Sequence, residues 1–307
     1  MDMLKNMLPA TIYEVIENAG ISTSKQIIIL SFWDIKKLTN LLDDEILLVK
    51  SIVSHYYSPI SVTIDKLQDD MLKIKTGCTT IDNMLNGGFR KGLLSEIYGE
   101  SGTGKTQIAM QSSVHCGSDG SVIICTEDLF PIKRFHQICE NISSTNNTVS
   151  GDNLFIEHLN ESRDLMSCVR TRLPILLNKH KISMVVIDSV AAPFRCEYTN
   201  YVQRAEELRE FGTLLLELAQ KHNLAVICLN QVTASFNNSD DVLPTLGLVW
   251  SNMISYRLKL TKPENPIQCK SSKQYCYLRE LTITYAPDLP SGISAKFIIT
   301  ANGVVGV

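Results

Sequence analysis

The chain has 307 residues, 44% of them hydrophobic and 20% charged, with a formal net charge of −3 at pH 7. This is an ordinary globular composition, and the length accommodates one large domain and one small domain. The net charge excludes bulk electrostatic attraction to phosphate backbones, so any contact with nucleic acid needs a local patch. Apolar runs such as IIIL at 27–30 fall far short of the roughly 18 residues of a membrane helix, so no membrane partner is expected.

Residues 1–57 predict a small helical bundle. Four helical patterns follow one another there, in ATIYEVIENAG, STSKQIIILS, SFWDIKKLTNLL and DDEILLVKSIVSHYY. The amino-terminal stretch MDMLKNMLPATIYEV lacks the apolar region of a secretory signal, so none is expected. Residues 58–75 contain Pro59, become polar and are predicted to form a linker.

From residue 76 to residue 307 the pattern changes to apolar runs that alternate with helical stretches. This alternation predicts an α/β fold with a mostly parallel sheet covered on both faces. The predicted strands are 93–99, 121–127, 153–159, 182–189 and 224–231, and the predicted helices are 105–115, 131–141, 162–178 and 203–222. The last stretch contains SYRLKL, CYLRELTITYA and AKFIITANGV, which predict an antiparallel extension of strands without intervening helices.

The nine cysteines of the chain are scattered, and no two of them form a CxxC pair. This usage favours a reducing compartment and argues against a structural zinc site. A disulfide between Cys269 and Cys276 is the alternative that remains open.

The segment GESGTGKT matches the phosphate-loop pattern G-x-x-x-x-G-K-[ST], between a predicted strand and a predicted helix. Its glycines let backbone N–H groups close around a phosphate, and the helix N-terminus favours negative charge. We expect Lys105 to reach the β- and γ-phosphates and the Thr106 hydroxyl to help hold Mg²⁺. The residues of this loop predicted to bind ATP are Gly99, Glu100, Ser101, Gly102, Thr103, Gly104, Lys105 and Thr106.

Three polar residues end predicted strands that lie beside this loop. Asp188 ends MVVID, where it would organise Mg²⁺ through water, with a capping aspartate as the alternative. Glu127 ends SVIICTE and would orient or deprotonate an attacking water. Its neighbour Asp128 could instead be the cap of the next helix. Gln231 ends VICLNQ, where its amide would sense the γ-phosphate, and a solvated loop residue is the alternative.

Taken together, these strings resemble the RecA-type recombinases of eukaryotes and archaea. The resemblance rests on TGCTTIDNMLNGG, GESGTGKTQ, CTEDLFPIKR, VVIDSVAAPFRCE, LNQV and FIITANGV, in order from about Thr76 to the C-terminus. ICTEDLFPIKR and VVIDSVAAPFRCE narrow it to the recombination-mediator paralogs of that family. It implies a RecA-like P-loop ATPase core with a mostly parallel sheet, and the amino-terminal helical bundle and linker fit the same layout.

The resemblance also implies roles for individual residues. The positions that match catalytic residues are Lys105, Glu127 and Gln231, and those that match the Mg²⁺ site are Thr106 and Asp188. Arg134 in FPIKR matches the arginine whose guanidinium lies against the adenine, as suits a planar cation. A solvated helix arginine is the alternative for Arg134.

The linker string ISVT matches the polymerisation motif of the family. Ile60 and Thr63 occupy the positions where members usually present a phenylalanine and an alanine to a neighbouring ATPase domain. Ile60 is smaller than the usual phenylalanine, which implies a different or weaker binding pocket on the neighbouring domain. Self-polymerisation is therefore not expected. A plain linker is the equally open alternative.

The first segment that matches a DNA-contacting loop of the recombinases is 194–207. It carries Arg195, Tyr198 and Arg204, and cations beside aromatic rings suit a single strand through phosphate contact and stacking. The segment also carries three glutamates. A solvated entry into the next helix is therefore the alternative.

The second such segment, 233–245, offers Phe236 for stacking, with a core anchor for the loop as the equally open alternative, but it contains no Lys or Arg. Its carboxylates, Asp240 and Asp241, oppose the binding of phosphates. Position 285 also differs from the recombinases. They have an acid there that caps the ATP of the neighbouring subunit, whereas this chain has Tyr285. Asp288 is nearby but out of register, so hydrolysis by a filament of this chain alone is not expected.

The resemblance implies an ATP- and Mg²⁺-binding paralog in homologous-recombination repair of DNA double-strand breaks. We expect it to assemble with another RecA-type paralog and to load or stabilise the recombinase filament on single-stranded or branched DNA. The expected enzyme activity is a weak DNA-dependent ATPase, and the expected location is the nucleus, with the cytoplasm left open. The alternative is an autonomous DNA-dependent ATPase that exchanges strands itself. A P-loop small-molecule kinase is disfavoured, because no arginine-rich lid insertion is present.

Overall fold

The computed structural model describes residues 2–58, 63, 72–143, 153–196, 201–234, 242–263, 267–268 and 275–307. The chain divides into two compact units, Met1–Asp69 and Asp70–Val307. The finer subdivision into a bundle (1–57), a linker (58–75) and an ATPase domain (76–307) stays a prediction, because most of the linker lies outside the described residues.

The described part of the amino-terminal unit contains five helices, one more than predicted. They are α1 (Asp2–Met7), α2 (Ala10–Asn18), α3 (Ser24–Ile29), α4 (Phe32–Thr39) and α5 (Asp43–Tyr57). Thr23 and Ser31 cap α3 and α4, since their hydroxyls accept the N–H groups of Gln26 and Asp34 at 3.2 and 3.1 Å. The helices enclose a core of their own that contains Ile16, Ile27, Ile35, Ile46, Val49 and Val53.

The second unit is built from strands that run through its centre and helices on both faces. Its strands are β1 (Lys73–Ile74), β2 (Phe89–Arg90), β3 (Leu94–Tyr98), β4 (Gly120–Cys125), β5 (Leu154–His158), β6 (Ile182–Asp188), β7 (Ala225–Asn230), β8 (Val232–Ala234), β9 (Val242–Pro244), β10 (Tyr256–Thr261), β11 (Ile267–Gln268), β12 (Tyr275–Cys276), β13 (Arg279–Tyr285), β14 (Ser294–Thr300) and β15 (Gly303–Gly306). Its helices are α6 (Thr79–Met84), α7 (Lys105–Val114), α8 (Ile132–Ser143), α9 (Ser162–Ser167), α10 (Leu173–Lys179), α11 (Ala191–Cys196), α12 (Tyr201–His222) and α13 (Gly247–Ser251).

Within the described residues the main sheet has nine strands in the order β15-β14-β13-β10-β3-β7-β6-β4-β5. The six from β10 to β5 are parallel, and β13, β14 and β15 continue the sheet antiparallel. Strands β3, β4 and β7 are buried along their whole length, which explains their continuous apolar sequence. The predicted α/β class with a mostly parallel sheet is confirmed.

Two expectations about local structure were wrong. The SYRLKL strand, β10, is parallel to β3 and does not belong to the antiparallel extension, because α13 carries the chain back before the strand begins. The predicted helix 162–178 is interrupted by a π-helical turn at Cys168–Arg172, between α9 and α10. Neither the short helix nor the extra backbone residue of a π turn leaves a periodic signal in the sequence.

Cys276 is disulfide-bonded, whereas we expected reduced thiols throughout the chain. Strands β11 and β12 pair antiparallel, with Ile267 opposite Cys276. Cys269, the partner that the sequence left open, lies outside the described residues. In the described part of the chain, no helix is both long enough and apolar enough to span a bilayer.

Candidate nucleotide-binding site

The phosphate loop joins the end of β3 to the start of α7, at the carboxyl edge of the parallel strands. Gly104 has a φ of 111°, which glycine adopts without strain. A Cβ at Gly99 would lie 2.2 Å from the carbonyl oxygen of Leu260, so the backbone of β10 also requires glycine there. The first turn of α7 contains no acidic residue, which leaves its N–H groups and helix dipole favourable to an anion.

Lys105 begins α7 and lies across this loop. Its ammonium donates to the carbonyl oxygens of Gly99 and Glu100 at 2.8 and 2.9 Å. Burial lowers the pKa of Lys105, although Asp188 and Glu127 attract the charged form. The ammonium is thus a partly desolvated cation held by neutral acceptors, as suits a residue that binds phosphate.

Thr106 and Asp188 meet next to the lysine. The Thr106 hydroxyl donates to Asp188 Oδ2 at 2.6 Å, which joins the first turn of α7 to the end of β6. Burial raises the pKa of Asp188, while Thr106 and Lys105 favour its ionised form. A hydroxyl and a carboxylate side by side are hard oxygen ligands, so this donor set fits Mg²⁺.

Glu127, Gln231 and Arg195 form a chain of side-chain hydrogen bonds beside these groups. The Gln231 amide donates to Glu127, and Arg195 donates to the Gln231 amide oxygen. Burial, followed by repulsion from Asp188 and Asp128, raises the pKa of Glu127, which Arg195 and Lys105 partly oppose. Arg195, expected to contact DNA, therefore also reaches the candidate nucleotide site.

Arg134 lies on α8 and lines the same cavity. Its guanidinium donates to the side-chain oxygen of Gln107 at 2.8 Å and to the carbonyl oxygens of Thr300 and Ala301 at 2.7 and 3.0 Å. These bonds lie in the plane of the group and leave its faces available for stacking. They place Arg134 beside the turn that joins β14 to β15.

One cavity of about 500 Å³ is lined by the side chains of Lys105, Thr106, Glu127, Arg134, Asp188 and Gln231. Its volume is within the roughly 300–1,000 Å³ typical of ligand pockets. Sequence reasoning missed several of its walls, because nothing in their local pattern distinguishes them from ordinary strand and helix residues. The missed lining residues are Gln107, Ser189, Arg279 and Ile299. Only the tertiary fold brings β13 and β14 next to the phosphate loop.

A buried polar network lies behind Gln231. Asn230 accepts the N–H of Gln231 at 2.8 Å, and its own amide donates to Glu96 at 2.7 Å. Glu96 is fully buried and also accepts from Trp250 at 2.8 Å and Arg257 at 2.6 Å. This network fixes the middle of β3 and the end of β7 relative to α13 and β10, and with them the backbone of Gln231.

Of the predicted DNA- and partner-binding residues other than Arg195, the structure describes Thr63 and Arg204. Ile60, Tyr198 and Phe236, together with Asp240 and Asp241, lie outside the described residues. Thr63 is exposed. Arg204 is half-buried on α12, and its Nε has no hydrogen-bond partner among the described residues.

Asp288 is paired within its own chain. It accepts from Arg90 at 2.7 Å and from the Tyr256 hydroxyl. Tyr285, at the end of β13, is 56% exposed. The acid near the expected capping position is therefore engaged, and the residue at that position is a solvent-facing phenol.

Comparison with known proteins identifies the class of ATPase to which this fold and loop belong. The family model described as Rad51 matches residues 67–306. The chain therefore belongs to the Rad51 family, and the resemblance to RecA-type recombinases is confirmed.

Individual relatives show which members of the Rad51 family this chain resembles. DNA repair protein XRCC3 of Bos taurus is 34% identical over 260 residues, which cover 76% of this chain and 75% of the relative. The XRCC3 homolog of Arabidopsis thaliana is 30% identical over 285 residues, covering 76% and 93%. DNA repair protein rhp57 of Schizosaccharomyces pombe is 26% identical over 338 residues, covering 93% of each chain. The chain is thus similar to the third X-ray-repair cross-complementing protein, XRCC3, and the predicted role of a recombination-repair paralog is confirmed.

Proposed function

We propose that this protein is an ATP-binding Rad51-family paralog that assembles with another paralog and loads or stabilises the recombinase on single-stranded DNA. Its own ATP turnover is slow. One observation carries the proposal: groups suited to a nucleotide converge on the phosphate loop, whereas Arg195, one of the two described cations expected to contact DNA, donates to Gln231 there.

Nucleotide and Mg²⁺ use is general to this fold, and the side chains of this cavity fit both. Lys105 would donate to the β- and γ-phosphates, and Arg134 would stack on the adenine. Thr106 and Asp188 would hold Mg²⁺, the aspartate through water. When bound, the ion would offset the negative charge of the β- and γ-phosphates.

Glu127 is the base in this proposal. A carboxylate whose pKa is raised by burial and by neighbouring carboxylates holds a proton more readily than an ordinary glutamate. Gln231 would position it and sense the γ-phosphate, and the Asn230–Glu96 network would hold Gln231 in place. Gln231 also accepts from Arg195, so the end of α11 is coupled to this pair.

Contact with DNA is proposed to need a partner. The segment 233–245 contains no Lys or Arg, and the net charge of the chain is −3. Tyr285 stands at the position of the capping acid, and Asp288 nearby is engaged by Arg90 and Tyr256. Neither residue would therefore complete a neighbour's site. Both observations favour a hetero-complex with another paralog over a filament of this chain, and repair of chromosomal DNA places that complex in the nucleus.

The test is ATP turnover by the purified chain, alone and with single-stranded DNA, beside Lys105→Ala as the control for contaminating ATPases. We expect tight ATP binding with little turnover, and stimulation only when a partner paralog is added. Turnover by the chain alone that DNA stimulates strongly and Lys105→Ala abolishes would contradict the proposal.

The second candidate is an autonomous DNA-dependent ATPase that exchanges strands itself. The Glu127–Gln231 hydrogen bond favours it, because the residues needed for hydrolysis already lie together. Electron microscopy separates the two candidates. Regular filaments of this chain on DNA, without any partner, would support the second.

A further inference from the structure

Arg279 joins the antiparallel extension of the sheet to the phosphate loop. It begins β13, and its Nε donates to the carbonyl oxygen of Thr103 at 2.8 Å. Its Nη1 donates to the carbonyl oxygen of Tyr277 at 3.0 Å. The guanidinium lines the 500 Å³ cavity next to Gly104, since a Cβ on that glycine would lie 3.5 Å from Arg279 Nε.

The acceptors of Arg279 set it apart from other arginines of the same unit. Arg90, Arg172 and Arg257 each bond a carboxylate, those of Asp288, Glu157 and Glu96. Among the described residues Arg279 bonds two carbonyl oxygens and no carboxylate, and both N–H groups of its Nη2 have no acceptor. Burial lowers the pKa of Arg279 because the charged form loses water. A partly desolvated guanidinium without a carboxylate is costly until an anion approaches it.

Its position indicates which part of an anion it meets. Thr103 and Gly104 of the phosphate loop lie against Arg279, and Ile299 of β14 lines the same cavity and approaches the same glycine. Ile299 precedes Thr300 and Ala301, whose carbonyl oxygens hold Arg134 at the end of the cavity assigned to the base. Arg279 therefore lies beside the middle of the phosphate loop, in the wall where β14 leads to the carbonyl oxygens that hold Arg134.

We propose that Arg279 is a nucleotide-binding residue, whose Nη2 N–H groups donate to oxygens of the phosphates nearest the nucleoside. The assignment rests on the proposed function of the cavity as an ATP site. Because ATP and ADP share these phosphates, Arg279 strengthens the binding of both and does not discriminate between them. The bond to Thr103 orients the guanidinium and couples β13 to the loop.

The test is a titration of the full-length protein with fluorescent ATP and ADP analogues. Arg279→Met keeps most of the apolar volume and removes the charge, and Arg279→Lys keeps the charge without the planar fork. We expect Arg279→Met to weaken both nucleotides equally, by at least about tenfold, because charge-assisted hydrogen bonds are lost. Arg279→Lys should bind with intermediate affinity. The matched control is Arg172→Met, which removes an arginine paired with Glu157 and should leave both affinities unchanged.

Three outcomes would overturn the proposal in distinguishable ways. Unchanged affinity in Arg279→Met, while the wild type binds ATP, overturns the assignment of Arg279 alone. A loss of affinity that Arg279→Lys does not relieve, with a lowered melting temperature of the nucleotide-free protein, would show that Arg279 only supports the backbone at Thr103. A wild-type chain that binds neither nucleotide overturns the proposed function, and with it this assignment.

Discussion

Two groups of cations in the second unit differ in their acceptors. In the described residues around the cavity, Lys105, Arg134 and Arg279 donate only to carbonyl and side-chain amide oxygens. Elsewhere in the unit Arg90, Arg172 and Arg257 are paired with carboxylates. A cation paired with a carboxylate has its charge satisfied within the fold, whereas one held by neutral oxygens keeps its charge for a ligand. We propose that the first group serves binding and that the second serves stability.

The largest effect is expected where a paired cation is deprived of its partner. Glu96→Ala leaves Arg257, Trp250 and the Asn230 amide without their shared acceptor in the core. Breaking a buried pair costs about 3–5 kcal/mol of unfolding free energy. Denaturant titration measures it, and Glu96→Met combined with Arg257→Met is the control, since an apolar pair should restore much of the loss. A loss below about 1 kcal/mol for Glu96→Ala would show that the network is not structural.

Lys105→Ala should weaken ATP binding without destabilising the fold, the reverse of the effect expected for Glu96→Ala. The ammonium bonds only loop carbonyls, so we expect the melting temperature of the nucleotide-free protein to stay unchanged. Affinity for ATP should fall about a hundredfold, near 3 kcal/mol, because charge-assisted bonds to phosphate are lost. Titration with a fluorescent ATP analogue measures this, with Lys296→Ala, an exposed lysine on β14, as the control. Equal affinity in the two variants would contradict the division between binding and structural cations.

Arg195 belongs to neither group, because it bonds a side-chain amide that itself donates to Glu127. If it positions Gln231, Arg195→Ala should lower basal ATP turnover, measured without DNA, by about tenfold. The loss should appear in kcat, with the affinity for ATP retained. Arg204→Ala is the control for charge in the same segment. A variant with unchanged basal turnover but weaker binding to single-stranded DNA would return Arg195 to a DNA-contacting role.

The smallest effect is expected at Tyr256, in the Arg90–Asp288 cluster. Burial, followed by the hydrogen bond to Asp288, raises the pKa of Tyr256 to about 12. The folded state thus holds the phenol proton more tightly than the unfolded chain, so its stabilisation is complete below about pH 10 and declines as the pH rises through the raised value. Tyr256→Phe should lose about 1 kcal/mol of unfolding free energy at pH 8. The difference from wild type should shrink towards pH 12, and a difference that grows with pH would contradict this assignment.

The elements with the strongest local signals agreed between sequence and structure. The phosphate loop matches a pattern whose glycines are dictated by backbone geometry, as Gly99 and Gly104 illustrate. The strands that contain Ile123, Val186 and Ile227 are buried on both faces, so their apolar runs reveal them directly. Because parallel strands present their carboxyl ends at one edge, the same patterns predicted that Asp188, Glu127 and Gln231 would lie near Lys105.

The errors arose where no periodic signal exists. The crossover helix α13 has five residues, too few for a helical pattern, and without it β10 was assigned to the antiparallel extension. The interruption at Cys168–Arg172 adds one backbone residue to a turn and leaves the apolar spacing nearly unchanged. Disulfide bonding of Cys276 depends on the distance between chain segments, which the spacing of cysteines does not give.

The sequence by itself determined the fold class, the family and the candidate phosphate loop, because hydrophobic periodicity and glycine-dependent turns are local properties of the chain. Tertiary structure alone decided which cation meets which acceptor. Arg195 reaches Gln231, Asp288 is held by Arg90, and Arg279 reaches Thr103 across 176 positions of the chain. Such pairings depend on the order of strands in the sheet, and that order is set by long-range packing rather than by the pattern within any one strand.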